Sequence, residues 1–188
     1  MIKLGPSGRN NQTDPPSFWS LLTNPRLCMN PRHFDLKGHH EISQILLTEG
    51  DLGITSIQFQ YVEDSKYVLS DEYGLQSNRD QFHTIELNHP AEYICGISGL
   101  YNTSGDSYNI KQLTFTTNIK EYGPFGLASQ GLYTLSSEKS FSFRLGESRR
   151  FGGFHGTYYS CGLLSIGAYF NPKTMSSPNS DSEIPKER

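Results

Sequence analysis

Apolar and polar positions alternate with a period of two through much of residues 41–170. The clearest run is 54–61, where Ile57, Phe59 and Tyr61 interleave with Ser56, Gln58 and Gln60. That spacing puts the three apolar side chains on one face of a half-buried strand. Residues 110–117 repeat the pattern, with Leu113 and Phe115 on one face. Shorter strand-like runs are expected at 42–47, 67–69, 82–87, 93–98, 141–145, 151–158 and 164–170. Turn-forming residues separate them at 49–51, 71–74, 99–105 and 123–126. Short strands spaced by Gly-rich turns, with no convincing 3.6-residue period, predict an all-β sandwich, barrel or prism with little helix.

The flanks read differently. Residues 9–33 hold Pro15, Pro16, Pro25 and Pro31 among Asn, Ser and Thr, which predicts a long surface loop pinned by Trp19, Leu21 and Leu22. Gly5 to Gly8 reads as a turn. The chain is expected to form one domain over 1–172, followed by a disordered polar tail over 173–188. Gly96, Gly99, Gly152, Gly153, Gly156 and Gly167 fall within or beside strand runs, where glycine marks a bulge, a bend or a close backbone approach.

Composition narrows the function classes. Hydrophobic residues make up 35%, with 11 Phe, 11 Tyr and 18 Gly, in keeping with a turn-rich β protein. The net charge of −3 implies no broad basic surface, so nucleic acid is not an expected partner. Arg144, Arg149 and Arg150 read as a solvated strand end. Three cysteines (Cys28, Cys95 and Cys161), with no C-x-x-C spacing, suit neither a disulfide framework nor zinc. Cys95 and Cys161 lie in apolar runs and read as small buried hydrophobes. No signal-like segment opens the chain and no run approaches 18 apolar residues, so the expectation is a cytoplasmic protein without a membrane span. No nucleophile elbow, phosphate loop or zinc-protease motif occurs. His39 and His40 are adjacent and point apart on an extended chain, and His155 among glycines reads as a packed, hydrogen-bonded turn residue. Neither an enzyme nor a cofactor or metal is expected.

Seven stretches, in order, carry a family resemblance: Gly5-Pro6, ITSIQFQY (54–61), ISGLY (97–101), LTFTTN (113–118), YGPFG (122–126), FHG (154–156) and IGAY (166–169). Together they resemble the plant jacalin-related lectins over about residues 1–172. The resemblance implies a β-prism, three four-stranded antiparallel sheets with pseudo-threefold symmetry and a sugar site at one end. Within the family, SIQFQ (56–60), ELN (86–88) with EYI (92–94), EYGPFG (121–126), FGGFHGTY (151–158) and PKT (172–174) are similar to the branch associated with blocking long-distance, phloem-borne movement of potyviruses. That role is an implication of the resemblance alone.

The family's sugar site uses an N-terminal Gly-rich loop, a second loop, and a G-x-x-x-D motif before the last strand, whose carboxylate accepts hydrogen bonds from sugar hydroxyls. Counted back from Ile166-Gly167, the family's Asp falls on Leu164 and its Gly on Ser160. The N-terminal glycine repeat is reduced to Gly8, and the second loop begins at Tyr101 and Asn102. The candidate, degenerate carbohydrate site is therefore Gly8, Tyr101, Asn102, Tyr159, Ser160 and Leu164. Carbohydrate is expected to bind weakly at most. Protein partners in antiviral restriction and self-association are the expected contacts. The competing expectation is a working lectin with an altered site built on Tyr101, Asn102 and Tyr159.

Overall fold

A computed structural model describes residues 1–8, 31–39, 41–51, 53–75, 77–103, 109–126, 138–144, 151–159 and 162–170. These form strands β1 (Ile2–Gly8), β2 (Arg32–Asp35), β3 (Ile42–Gly50), β4 (Gly53–Glu63), β5 (Lys66–Leu69), β6 (Tyr73–Gly74) and β7 (Gln81–Glu86). They continue with β8 (Ile94–Asn102), β9 (Ile110–Thr117), β10 (Glu121–Gly126), β11 (Glu138–Arg144), β12 (Phe151–Tyr159) and β13 (Gly162–Phe170). Among the described residues there is no helix.

All pairings are antiparallel and build three sheets. Their strand orders are β1-β13-β12-β2, β10-β9-β8-β11 and β5-β4-β3-β7. In the third sheet β6 also pairs with β4, at Ser56 and Ile57, while β5 pairs with Gln60 to Glu63. These two short strands share one edge of β4 as an interrupted fourth strand. The expected prism of three four-stranded sheets is thus observed.

One aromatic from each sheet meets at the centre. Phe59 of β4 stacks on Phe154 of β12 at 4.8 Å between ring centroids, and Phe115 of β9 meets Phe154 edge-on at 6.0 Å. All three rings are fully buried. Each such side chain contributes about 1.5–3 kcal/mol by leaving water. Each aromatic pair adds about 0.5–1.5 kcal/mol. Ile45, Leu47, Ile57, Ile97, Leu113 and Ile166 complete the inner layer.

Several turn expectations are corrected. Gly5 to Gly8 lies inside β1, residues 123–126 lie inside β10, and Tyr73–Gly74 is β6. His155 is a strand residue of β12, not a turn residue, and Cys95 is half-buried, not enclosed. The loop expected over 9–33 ends before Arg32, where β2 begins. β1 and β10 hold Pro6 and Pro124 at the edges of their sheets, where a missing N–H interrupts no ladder. Trp19, Leu21, Leu22, Arg149, Arg150 and the tail 173–188 fall outside the described residues.

Candidate functional site

Three hairpin ends and the end of β1 converge at one tip of the prism. The β12–β13 hairpin places Tyr159 opposite Gly162. A methyl group added at Gly162 would sit 3.0 Å from the Ile54 carbonyl oxygen and 3.3 Å from the Asn109 side-chain nitrogen. Ile54 opens the strand after the β3–β4 turn, and Asn109 lies at the foot of the β8–β9 hairpin, where its carbonyl accepts the Asn102 N–H at 3.2 Å. Thus β4, β9 and β13 touch where the family's ligand end is expected.

Gly8 closes the other side of this tip. It pairs with Ser165 across the β1–β13 ladder and has a φ of +118°. A Cβ there would lie 2.1 Å from the Leu164 carbonyl oxygen, so only glycine fits this approach. Leu164 occupies the expected acidic slot and is itself a bulge: Thr157 pairs with Ser165 and Tyr158 with Leu163, which leaves Leu164 as the extra residue. A bulge re-aims the side chain it carries. Leu164 is only 3% exposed yet stands outside the contiguous core cluster. The neighbouring Ser165 hydroxyl is buried and hydrogen-bonded to that of Thr157 at 2.7 Å.

The remaining candidates sit as follows. Asn102 is half-buried at the end of β8. Tyr101 is half-buried, packs against the core and leans on Phe141 at 6.3 Å. Tyr159 is half-buried at the end of β12. Ser160 and residues 104–108 fall outside the described residues. Gly8 and Leu164 are therefore brought together, and Asn102 and Tyr159 flank the Asn109–Gly162 contact. Asn109 and Gly162 were not found by reading motifs. Their signal is pairing: each sits opposite a predicted residue at the base of a hairpin.

Carboxylates also lie near this end on the third sheet, Glu49 and Asp51 among them. Glu49 has both oxygens engaged, one with the Gly126 N–H and the other 3.2 Å from His83 Nε2. Asp51 is exposed on the β3–β4 turn. Neither belongs to the β13 slot.

His155 is packed and hydrogen-bonded, as its sequence context suggests. It is 3% exposed, and its Nε2 lies 3.1 Å from the Leu4 carbonyl oxygen. Burial, with the Lys3 charge, pulls its pKa down to about 4. Beside it the Tyr169 hydroxyl donates to Asp35 at 2.7 Å, and burial and that carboxylate push its pKa up to about 12. These groups tie β1, β2, β12 and β13 together from the outside. Among the described residues no group of three or more His, Cys, Asp or Glu could hold a metal, and no helix is long and apolar enough to cross a membrane.

Residues 29–169 match the jacalin-like lectin domain family. The chain is 50% identical over 142 residues to the protein Restricted TEV Movement 1 of Arabidopsis thaliana, covering 74% of this chain and 78% of the relative. It is equally identical, over the same shares, to an Arabidopsis thaliana protein called inactive Restricted TEV Movement 1. A solved mannose-binding jacalin-related lectin from Ananas comosus superposes with a TM-score of 0.64 at 28% identity, covering 92% of this chain and 98% of that one. Members of this family bind carbohydrates and are not known for catalysis. With the three-sheet prism and its convergent hairpin tip, these matches establish that the chain belongs to the jacalin-like lectin family.

Proposed function

We propose that this protein is a jacalin-fold binding module of plant antiviral defence, which restricts long-distance movement of potyviruses through the phloem by protein contacts and self-association, in the cytoplasm and without catalysis. The observation that carries the reading is the pairing of 50% identity to a movement-restricting relative with a leucine, 3% exposed, where a sugar-binding lectin of this family needs a carboxylate. A hydrogen bond to a charged group is worth about 1.5–3 kcal/mol. A millimolar complex has only about 4 kcal/mol in all. Without the acid, most monosaccharide affinity is lost, and the fold is left to act through other surfaces. Gly8, Tyr101, Asn102, Tyr159, Ser160 and Leu164 then form a degenerate ligand end within a domain that spans 1–172, with 173–188 as a polar tail.

The equal identity to active and inactive relatives means that overall similarity does not decide activity, so the test is made in plants. The full chain is expressed in Arabidopsis thaliana that lacks functional Restricted TEV Movement 1, and inoculated with tobacco etch virus. The expected result is virus confined to inoculated leaves. Virus spread to upper leaves at normal protein level overturns the reading. The second reading, a working lectin, draws on the half-buried Tyr159 and Asn102 beside the Asn109–Gly162 contact. A glycan array decides it: competable mannose binding lost in Tyr159→Ala supports that reading against the first.

A further inference from the structure

Charge is unevenly divided between the sheets. The segment that folds into the third sheet, residues 42–86, holds eight Asp and Glu against Lys66 and Arg79, a net of −6. The whole chain is −3, so the rest sums to +3. The outer face of this same sheet is unusually apolar. Phe82 is 56% exposed and Tyr67 68%, and Leu69 and Leu75 are about half exposed. The register places the first three on the outside: Phe82 pairs with Thr48, Leu69 with Gln60 and Tyr67 with Val62, while the intervening Ile85, Phe59 and Tyr61 fill the core. Large exposed apolar side chains gathered on one face mark an interaction surface.

Between them lies a groove of about 70 Å³, lined by Leu46, Leu47, Ser56, Gln58, Glu72 and Phe82. Its polar groups include acceptors. The Gln58 amide donates one N–H to the Ser70 carbonyl at 2.7 Å, with its oxygen as an acceptor, and the Ser56 hydroxyl is hydrogen-bonded with that of Thr48 at 2.8 Å. The Glu72 carboxylate stands exposed at the rim. On the same face the Glu86 carboxylate accepts a long 3.4 Å hydrogen bond from the Gln44 amide. An acceptor-lined groove with an aromatic rim calls for a donor with a positive charge and an apolar stem. Lys and Arg supply both, and the Phe82 ring face adds about 0.5–1 kcal/mol of cation–π attraction at an exposed site.

We infer that the outer face of the third sheet, centred on the Leu46–Gln58–Glu72–Phe82 groove, docks a basic, apolar-interleaved segment of a partner protein. This names the chemistry of the protein contacts invoked above and rests on that reading only for its role in the plant. Binding in vitro tests it separately.

The experiment titrates isotope-labelled full-length protein with a synthetic peptide of alternating Lys and Leu or Phe, and with its Glu-for-Lys counterpart. The expected result is binding of the basic peptide only, weakened by salt, with the largest NMR shifts at Leu46, Gln58, Leu69, Phe82 and Thr84. Glu72→Lys and Phe82→Ser are each expected to weaken binding about tenfold. Both positions are exposed, so an unchanged melting temperature confirms intact folding. Glu41→Lys, beside His89 and outside the groove lining, is expected to leave affinity within twofold. Equal binding of the acidic peptide, shifts centred elsewhere, or an equal effect of Glu41→Lys overturns the proposal. So does concentration-dependent dimerisation lost in Phe82→Ser without peptide binding, which assigns the face to a second copy.

Discussion

Restoring the family's acid by Leu164→Asp is expected to destabilise the protein without creating a sugar site. The leucine is 3% exposed, and its removal forfeits about 1.5–3 kcal/mol of burial. The carboxylate that replaces it enters a slot beside Ser165, whose hydroxyl is already bonded to Thr157. A buried polar group without partners costs a further 1–3 kcal/mol or so. Together the loss is about 3–5 kcal/mol, or a fall of roughly 10 °C in melting temperature for a chain of this size. The pH dependence supplies an internal check. A desolvated Asp has its folded pKa raised above its unfolded value, so the neutral form is favoured on folding. The penalty is then smallest below the unfolded pKa and grows as pH rises through the folded pKa. Urea titrations of wild type and Leu164→Asp at pH 5 and pH 8 should show the wider gap at pH 8. Calorimetry with mannose should show no binding by either. A variant as stable as wild type that binds mannose would refute the reasoning, because it would mean the slot is open and merely lacks its acid.

Three further outcomes follow from the geometry. His155 has an ordinary pKa of 6.5 that burial and Lys3 lower to about 4. The folded state therefore resists its protonation, stability is full above 6.5, and about 3 kcal/mol is lost as pH falls toward 4. Urea melts across that window should show this slope, flattened in His155→Gln. Phe154→Ala removes the ring shared by all three sheets and should cost about 3–5 kcal/mol, whereas Phe82→Ala on the outer face should stay within about 0.5 kcal/mol, both read by chemical denaturation. Gly8→Ala forces a side chain into a φ of +118° against the Leu164 carbonyl and should cost about 2 kcal/mol or more in thermal melts, whereas Gly38→Ala, at a φ of +95° with nothing within 4 Å, should cost only the backbone strain of about 1 kcal/mol.

The strands that the sequence made visible and those it hid differ in where they sit. β4 and β9 announce themselves because they are central strands with one face on the core, so Ile57, Phe59, Leu113 and Phe115 must alternate with polar neighbours. The four strands that pattern alone did not show, β1, β2, β6 and β10, all lie on sheet edges. An edge strand buries less, tolerates proline and can be as short as two residues, so its apolar period fades and its Gly-Pro pairs look like turns. The acidic slot could be counted from Ile166-Gly167, but the bulge that makes Leu164 the extra residue depends on pairing with β12, which no single strand encodes. The charge asymmetry of residues 42–86 was equally present in the sequence. It acquires meaning only once register shows that Phe82, Leu69 and Glu72 share one outward face.

The change at the tip has a physical logic that links fold and function. The core is held by aromatics from three sheets, with Ile54, Ile110 and Leu163 buried beneath the hairpin ends. The tip can therefore change without unfolding the prism. An aspartate on the β13 bulge is fully satisfied only while a sugar donates to it, so an acid there keeps the site open and solvated between binding events. A leucine at the same bulge gains stability by leaving water, and Leu164 is 3% exposed. Once that happens, affinity has to come from somewhere other than the tip. Four of the seven large exposed apolar side chains among the described residues, Tyr67, Leu69, Leu75 and Phe82, lie in the acidic third-sheet segment, where a protein partner offers far more contact area than a monosaccharide. On the proposed reading, a sheet face used for protein contact lets function persist when sugar chemistry at the tip is lost.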